Sequence, residues 1–252
     1  MRIGGRTIPR SFDVIVRYPL GLSGRFPLVV FGHGYAVSPT PYAPLLDAWT
    51  KAGYVVAAPI FPLENANAPG GPYEQDLPNQ PLDMSLVISS LLSPRSSAAA
   101  RVGRMLQAHE IAVAGQSDGG DTALATAYDP RVRDSRVRAA LILSGAFDPF
   151  ISTFTMPAGG PPLLATQGTA DTINPPWMTY QFFDPAQRPK YLLKLIGAGH
   201  LPPYTQPGLE LREVEQVTLG FLNRYLKGRS PGLARFVARG TAGPGTVLVA
   251  RP

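Results

Sequence analysis

Residues 111–120 read Ile-Ala-Val-Ala-Gly-Gln-Ser-Asp-Gly-Gly. A short apolar run ends in G-x-S-x-G, and an alanine-rich stretch then continues to Tyr128. That order predicts a buried strand, a sharp turn and a helix. Such a turn holds the central Ser117 in a strained backbone, with its hydroxyl exposed and the helix N-terminus behind it favouring negative charge. Side chains at Gly115 and Gly119 would collide with neighbouring backbone. The plainer reading is a glycine-rich turn whose serine caps the helix.

Outward from this elbow, strand-like and helix-like runs alternate. Strands are expected at Asp13–Arg17, Leu28–Phe31, Tyr54–Ala58, Ile111–Ala114, Ala139–Leu143, Leu163–Thr166 and Tyr191–Ile196. Helices are expected over 44–52, over 83–92 with Asp83 as N-cap, from Ser117 to Tyr128, and over 207–227, where Val214, Val217, Phe221, Leu222 and Tyr225 form one stripe. The pattern implies an α/β chain with a mostly parallel sheet covered by helices on both faces, read as one domain over 1–252. Functional groups in such sheets lie just beyond the C-terminal strand ends. Residues 59–82 carry six prolines and read as a loop bordering the site, either a partial lid or a structural loop. Residues 229–252 form a Gly- and Pro-rich extension with one strand-like run, Thr246–Ala250.

A serine hydroxyl needs a base, and only His33, His109 and His200 exist. His109 precedes the strand leading to Ser117, so it belongs at the opposite end of the sheet. His200 closes Ile196-Gly-Ala-Gly-His200 after the last parallel strand and is the expected base. For the acid that orients it, Asp171 and Asp148 both follow strands, and Asp171 is preferred. Backbone N–H groups of Tyr35, in Phe31-Gly-His33-Gly34-Tyr35, and of Asp118 are the expected donors to a developing oxyanion, with His33 buttressing the loop. Trp177, Tyr180 and Phe182 either wall a substrate pocket or belong to the core, and Gln116 and Trp177 are the substrate-contact candidates.

Composition narrows the classes. The 252 residues are 44% hydrophobic and 16% charged, a balance for a packed core. Without cysteine there is no thiol nucleophile, thiolate metal site or disulfide. Three histidines without ligand spacing disfavour a metal site. The net charge is +6, but the densest basic cluster, Arg131, Arg133, Arg136 and Arg138, has no interleaved aromatics and reads as a solvated loop, not a nucleic-acid surface. No apolar run approaches the roughly 18 residues of a membrane span. The N-terminal MRIGGRTIPRSF lacks the apolar segment of an export signal, and an exported form with its leader removed stays open.

Taken together, the HGY, GQSDGG, GTADTI and GAGH segments resemble the α/β-hydrolase superfamily across residues 11–227. Within it the chain resembles dienelactone-hydrolase-like and platelet-activating-factor-acetylhydrolase-like esterases and polyester-degrading cutinases. That resemblance implies the α/β-hydrolase fold, a Ser117–Asp171–His200 triad, no cofactor, and acyl-enzyme chemistry on a small or polymeric ester. Gln116 stands where these groups often carry His or Trp, and Asp118 puts a carboxyl beside an oxyanion donor. Lipases, polyester hydrolases, peptidases and cofactor-free perhydrolases would use the same three residues. A dehalogenase would need Asp at the elbow, and a non-catalytic binding module on this fold would need no triad at all.

Overall fold

The computed structural model describes residues 2–3, 6–7, 10–93, 97–151 and 153–252. Five of the first nine residues, within the stretch read for an export signal, lie outside them. Eight strands form one sheet: β1 (Val14–Arg17), β2 (Phe26–Gly32), β3 (Val55–Pro59), β4 (Leu106–Gln116), β5 (Val137–Leu143), β6 (Leu163–Gly168), β7 (Lys190–Leu195) and β8 (Thr246–Arg251). Their spatial order is β8-β7-β6-β5-β4-β2-β3-β1. The inner pairs are parallel, and only the edge strands β1 and β8 run antiparallel to their neighbours.

The two-residue period of a strand sorts its side chains into two cores. From β2, Val29 and Phe31 join one core while Leu28 and Val30 join the other, and β5 divides Leu141 from Ile142 in the same way. On the first face lie α1 (Ala43–Lys51), α6 (Pro202–Thr205), α7 (Leu209–Leu226) and α8 (Pro231–Arg239), contributing Trp49, Tyr204, Phe221 and Phe236. On the other lie α2 (Gln80–Leu92), α4 (Asp118–Tyr128) and α5 (Pro176–Phe183), contributing Ile88, Leu124 and Phe182. A short α3 (Ser97–Gly103) follows α2. This is the α/β-hydrolase architecture with helices on both faces, as the alternating runs predict.

Two expectations change. The helix expected from 83 begins at Gln80, and Asp83 is buried inside its first turn and not at its cap. Its carboxylate is held by Arg10 (Nε to Oδ1, 2.7 Å), which also binds Asp76 (Nη1 to Oδ1, 2.9 Å). A guanidinium supplied from 73 residues away in sequence satisfies the buried charge, so local capping patterns could not reveal it. The C-terminal extension also acquires a role. Residues 246–251 pair with β7 from Thr246↔Leu195 to Arg251↔Lys190 and so cover the edge of the parallel sheet.

Among the described residues no helix is long and apolar enough to cross a membrane. In the basic cluster, Arg131 pairs with Asp129 (2.6 Å) and Arg136 with Asp134 (2.5 Å).

Candidate active site

Four loops converge at the C-terminal ends of β2, β4, β6 and β7, carrying Tyr35, Ser117 with Asp118, Asp171 and His200. Ser117 follows β4 at the N-cap of α4, with φ 56° and ψ −129°. No β-branched or bulky residue tolerates that backbone easily. The neighbouring glycines make it sterically achievable. A Cβ on Gly115 would lie 1.9 Å from the Gly119 carbonyl oxygen, and a Cβ on Gly119 would lie 2.2 Å from that of Gly32. Strand β2 and helix α4 therefore approach backbone to backbone. Gly119→Ala is expected to lower Tm by roughly 5–10 °C in a thermal melt, the cost of overpacking a rigid contact. Gly159→Ala, where a Cβ meets nothing within 4 Å, is the control.

His200 links the other two loops to this serine. Its Nδ1 lies 2.8 Å from Asp171 Oδ2 and its Nε2 lies 2.9 Å from Ser117 Oγ. Because the carboxylate only accepts, Nδ1 carries the proton and Nε2 is left to accept from the serine. Asp171 Oδ1 is occupied by the N–H groups of Ile173 (3.0 Å) and Asn174 (2.9 Å), which fixes the carboxylate plane. Gln167 Nε2 approaches Oδ2 at 3.3 Å. Burial pushes the Asp171 carboxyl up, but the His200 contact and these N–H groups outweigh it and hold it below the usual carboxylate range. The β6 and β7 loops are stitched together: Thr169 N–H donates to Leu195 O (2.9 Å), Ala170 N–H to Ala198 O (3.0 Å), and Gly197 N–H to Thr169 Oγ1 (2.8 Å). Asp148, the reserve acid, is half-buried, accepts the Phe150 N–H at 2.7 Å, and makes no hydrogen bond to His200 among the described residues.

The loop after β2 abuts the elbow. A Cβ on Gly34 would stand 3.0 Å from Ser117 Cβ, so glycine there permits the approach. Among the described residues neither the Tyr35 nor the Asp118 N–H donates to a protein acceptor. Both donors are thus free for a ligand atom beside Ser117. His33 is fully buried, donating from Nδ1 to Gly34 O (2.9 Å) and accepting the Phe61 N–H at Nε2 (3.0 Å). Burial pushes its pKa down to about 4, so it stays neutral and braces the loop. His109 is exposed on β4, far back along the strand from Ser117.

The substrate-contact candidates part company. Gln116 is 1% exposed and faces inward. Its Oε1 accepts the Tyr42 hydroxyl (2.7 Å), and its Nε2 reaches His200 O and His200 Nε2, both at 3.2 Å. It is a brace for the histidine loop, because a buried amide must satisfy both its ends and the protein supplies all the partners. Trp177 is 53% exposed near the start of α5 and remains available to a ligand. Tyr180 is partly buried against the core with Lys194 above its ring, and Phe182 is a core residue packed edge-on against Phe147.

Several buried polar residues around the site carry little local sequence signal. Tyr42 donates to Gln116 and lies 3.4 Å from the Gly34 N–H. Asn174 Nδ2 holds Ser144 O (2.8 Å) beside the acid loop. Glu64, in the proline-rich loop, is fully buried under the elbow. A carboxylate inside an otherwise apolar Phe-Pro-Leu run was the one available hint. The Asp118 carboxyl faces the nucleophile: its Oδ1 lies 3.4 Å from Ser117 Oγ. Among the described residues no group of three His, Cys, Asp or Glu side chains is arranged to hold a metal ion.

No curated protein matches the chain closely. The match to the Chlorophyllase family runs over residues 6–170, taking in the Tyr35 loop and the Ser117 elbow and stopping one residue before Asp171. With the eight-stranded sheet and its elbow, that match shows that the chain belongs to the Chlorophyllase family, a family of α/β-hydrolase carboxylesterases.

Proposed function

We propose that the protein hydrolyses carboxylic esters through an acyl-enzyme on Ser117. The observation that carries this reading is the continuous hydrogen-bond chain Ser117–His200–Asp171 beside two unengaged backbone N–H groups. Family membership supports ester hydrolysis in general. Ser117 Oγ attacks the ester carbonyl while His200 Nε2 takes its proton, and Asp171 stabilises the imidazolium. The Tyr35 and Asp118 N–H groups receive the oxyanion, each such donor contributing on the order of 3 kcal/mol. His200 then protonates the leaving alcohol, and water repeats the sequence to release the acid. Trp177, exposed beyond the acid loop, is the candidate to contact the acyl or alcohol part.

The test combines fluorophosphonate labelling with a p-nitrophenyl ester series from acetate to palmitate, and chlorophyll, the substrate carried by the family's name. Modification at Ser117, read by peptide mass spectrometry, together with turnover is the expected result. The chain-length profile separates a short-chain esterase from a lipase, and release of soluble products from a polyester film identifies a polyester hydrolase. An unlabelled Ser117 and no turnover on any ester would leave a binding module on a hydrolase fold.

A further inference from the structure

Glu64 is 0% exposed and belongs to the loop that runs from β3 to α2. Gln80 Nε2 donates to its Oε2, and the Gln80 Oε1 in turn accepts the Thr122 hydroxyl of α4 (2.8 Å). The other carboxyl oxygen, Oε1, has no N–H or O–H partner among the described residues. Neither does Asp118 Oδ2, also buried, and the two carboxyls interact side by side. Two ionised carboxylates offer four acceptors and no donor, and burying them in contact would be strongly unfavourable. A single proton between them resolves this. The charged groups acting on Glu64 are acidic, Asp118 from α4 and Asp76 from the turn before α2, and the neutral Tyr42 hydroxyl lies near. Asp118 is faced in addition by Asp148, Ser117 and His200, and it acts in turn on Glu74 from the turn before α2, on Asp121 of α4 and on Tyr42. Burial foremost, then Asp118, pushes the Glu64 carboxyl up to about 10; burial pushes the Asp118 carboxyl up as well, but there the Glu64 contact acts the other way, so the shared proton resides on Glu64 with Asp118 as its acceptor. The same residue also acts through its main chain, because Glu64 O accepts the Ala36 N–H (3.0 Å), the amide directly after Tyr35.

We propose that Glu64 is a positioning residue of this site: its carboxyl, in the acid form, hydrogen-bonds the Asp118 carboxylate while its main-chain carbonyl holds Ala36, so that one buried residue sets both candidate oxyanion donors. The inference rests on the esterase reading above. It gives the proline-rich loop a defined part, as the scaffold of the oxyanion pocket. It also explains how an aspartate can stand next to the nucleophile: its charge is bound to a proton donor.

The experiment uses Glu64→Gln and Glu64→Ala in the full chain. An amide at 64 can still donate to Asp118 Oδ2 and accept from Gln80, whereas alanine leaves both unpaired. Glu64→Ala is expected to lower kcat by about 10-fold or more with KM changed less than about 3-fold, and Glu64→Gln to recover kcat to within about 3-fold of wild type. Thermal melts supply a readout independent of turnover. Glu64 ionises near 4.5 in the unfolded chain but near 10 in the folded protein, so folding takes up a proton between those limits and stability falls as pH rises through them. Glu64→Gln abolishes that uptake, and its Tm relative to wild type is expected to climb steadily from about pH 5 to about pH 9. A pH-independent Tm difference overturns the shared proton. Glu64→Ala with wild-type kcat and only a lowered Tm overturns the positioning role. If wild type turns over no ester while the Tm difference still climbs, the esterase reading has failed and the positioning role falls with it, with the shared proton standing.

Discussion

Ser117→Ala is expected to lower kcat on p-nitrophenyl esters by roughly 10,000-fold or more, with KM little changed. The reason is geometric. Among the described residues Ser117 Oγ is the one hydroxyl that hydrogen-bonds His200 Nε2, at 2.9 Å. Removing it leaves the imidazole and the free N–H groups in place but no atom to form the acyl-enzyme, so only their residual stabilisation of a water attack persists. The backbone at φ 56° is no worse for alanine than for serine, and Tm should move by no more than about 3 °C. Ser144 is the informative control. It too follows a parallel strand at a positive φ, 47°, and it too is buried. Its hydroxyl, however, meets the Tyr204 hydroxyl at 2.9 Å, not a base. Ser144→Ala should therefore retain kcat within about 10-fold. Turnover that survives in Ser117→Ala and disappears in Ser144→Ala would place the nucleophile on the wrong strand.

Asp171→Asn is the second large effect, a loss of about 1,000- to 10,000-fold in kcat. Asp171 Oδ1 is claimed by the Ile173 and Asn174 N–H groups, so an asparagine oxygen would stay there and its NH2 would face His200 Nδ1. The imidazole must then accept at Nδ1 and carry its proton on Nε2, where it blocks removal of the Ser117 proton. The Gln167 NH2, 3.3 Å from Oδ2, would also face another donor. Asp148→Asn should stay within about 10-fold of wild type, since the half-buried Asp148 accepts the Phe150 N–H and makes no hydrogen bond to the imidazole among the described residues. Steady-state kinetics on one ester decides between the two acids. Equal losses at both positions would show that the Asp171–His200 contact does not orient the base.

The strand–turn–helix around Ser117, the alternation that sorts strands from helices, and the placement of Tyr35, Asp171 and His200 just past strands are all local properties of the chain. Each follows from side-chain period and from where glycine must stand, and the structure brings these four residues together. The cores on the two sheet faces were legible for the same reason, because strand period alone sends Phe31 one way and Val30 the other. Other assignments depended on contacts between segments far apart in sequence. Nothing near Asp83 announces that Arg10 will pair with it, and nothing near Gln116 shows that Tyr42 and His200 will claim both ends of its amide and turn it from a substrate contact into a brace. The C-terminal strand found its place only because β7 presented an unpaired edge. The preference for Asp171 over Asp148 is already made in the sequence, and what the tertiary structure adds is the stitching of the β6 and β7 loops that brings Asp171 to His200. Backbone geometry and periodicity are written locally, so the sequence by itself determined the layered fold and the elbow. The partners of buried polar groups are set by which loops the sheet order makes neighbours, and for Glu64 beneath Asp118 only the tertiary structure decided it.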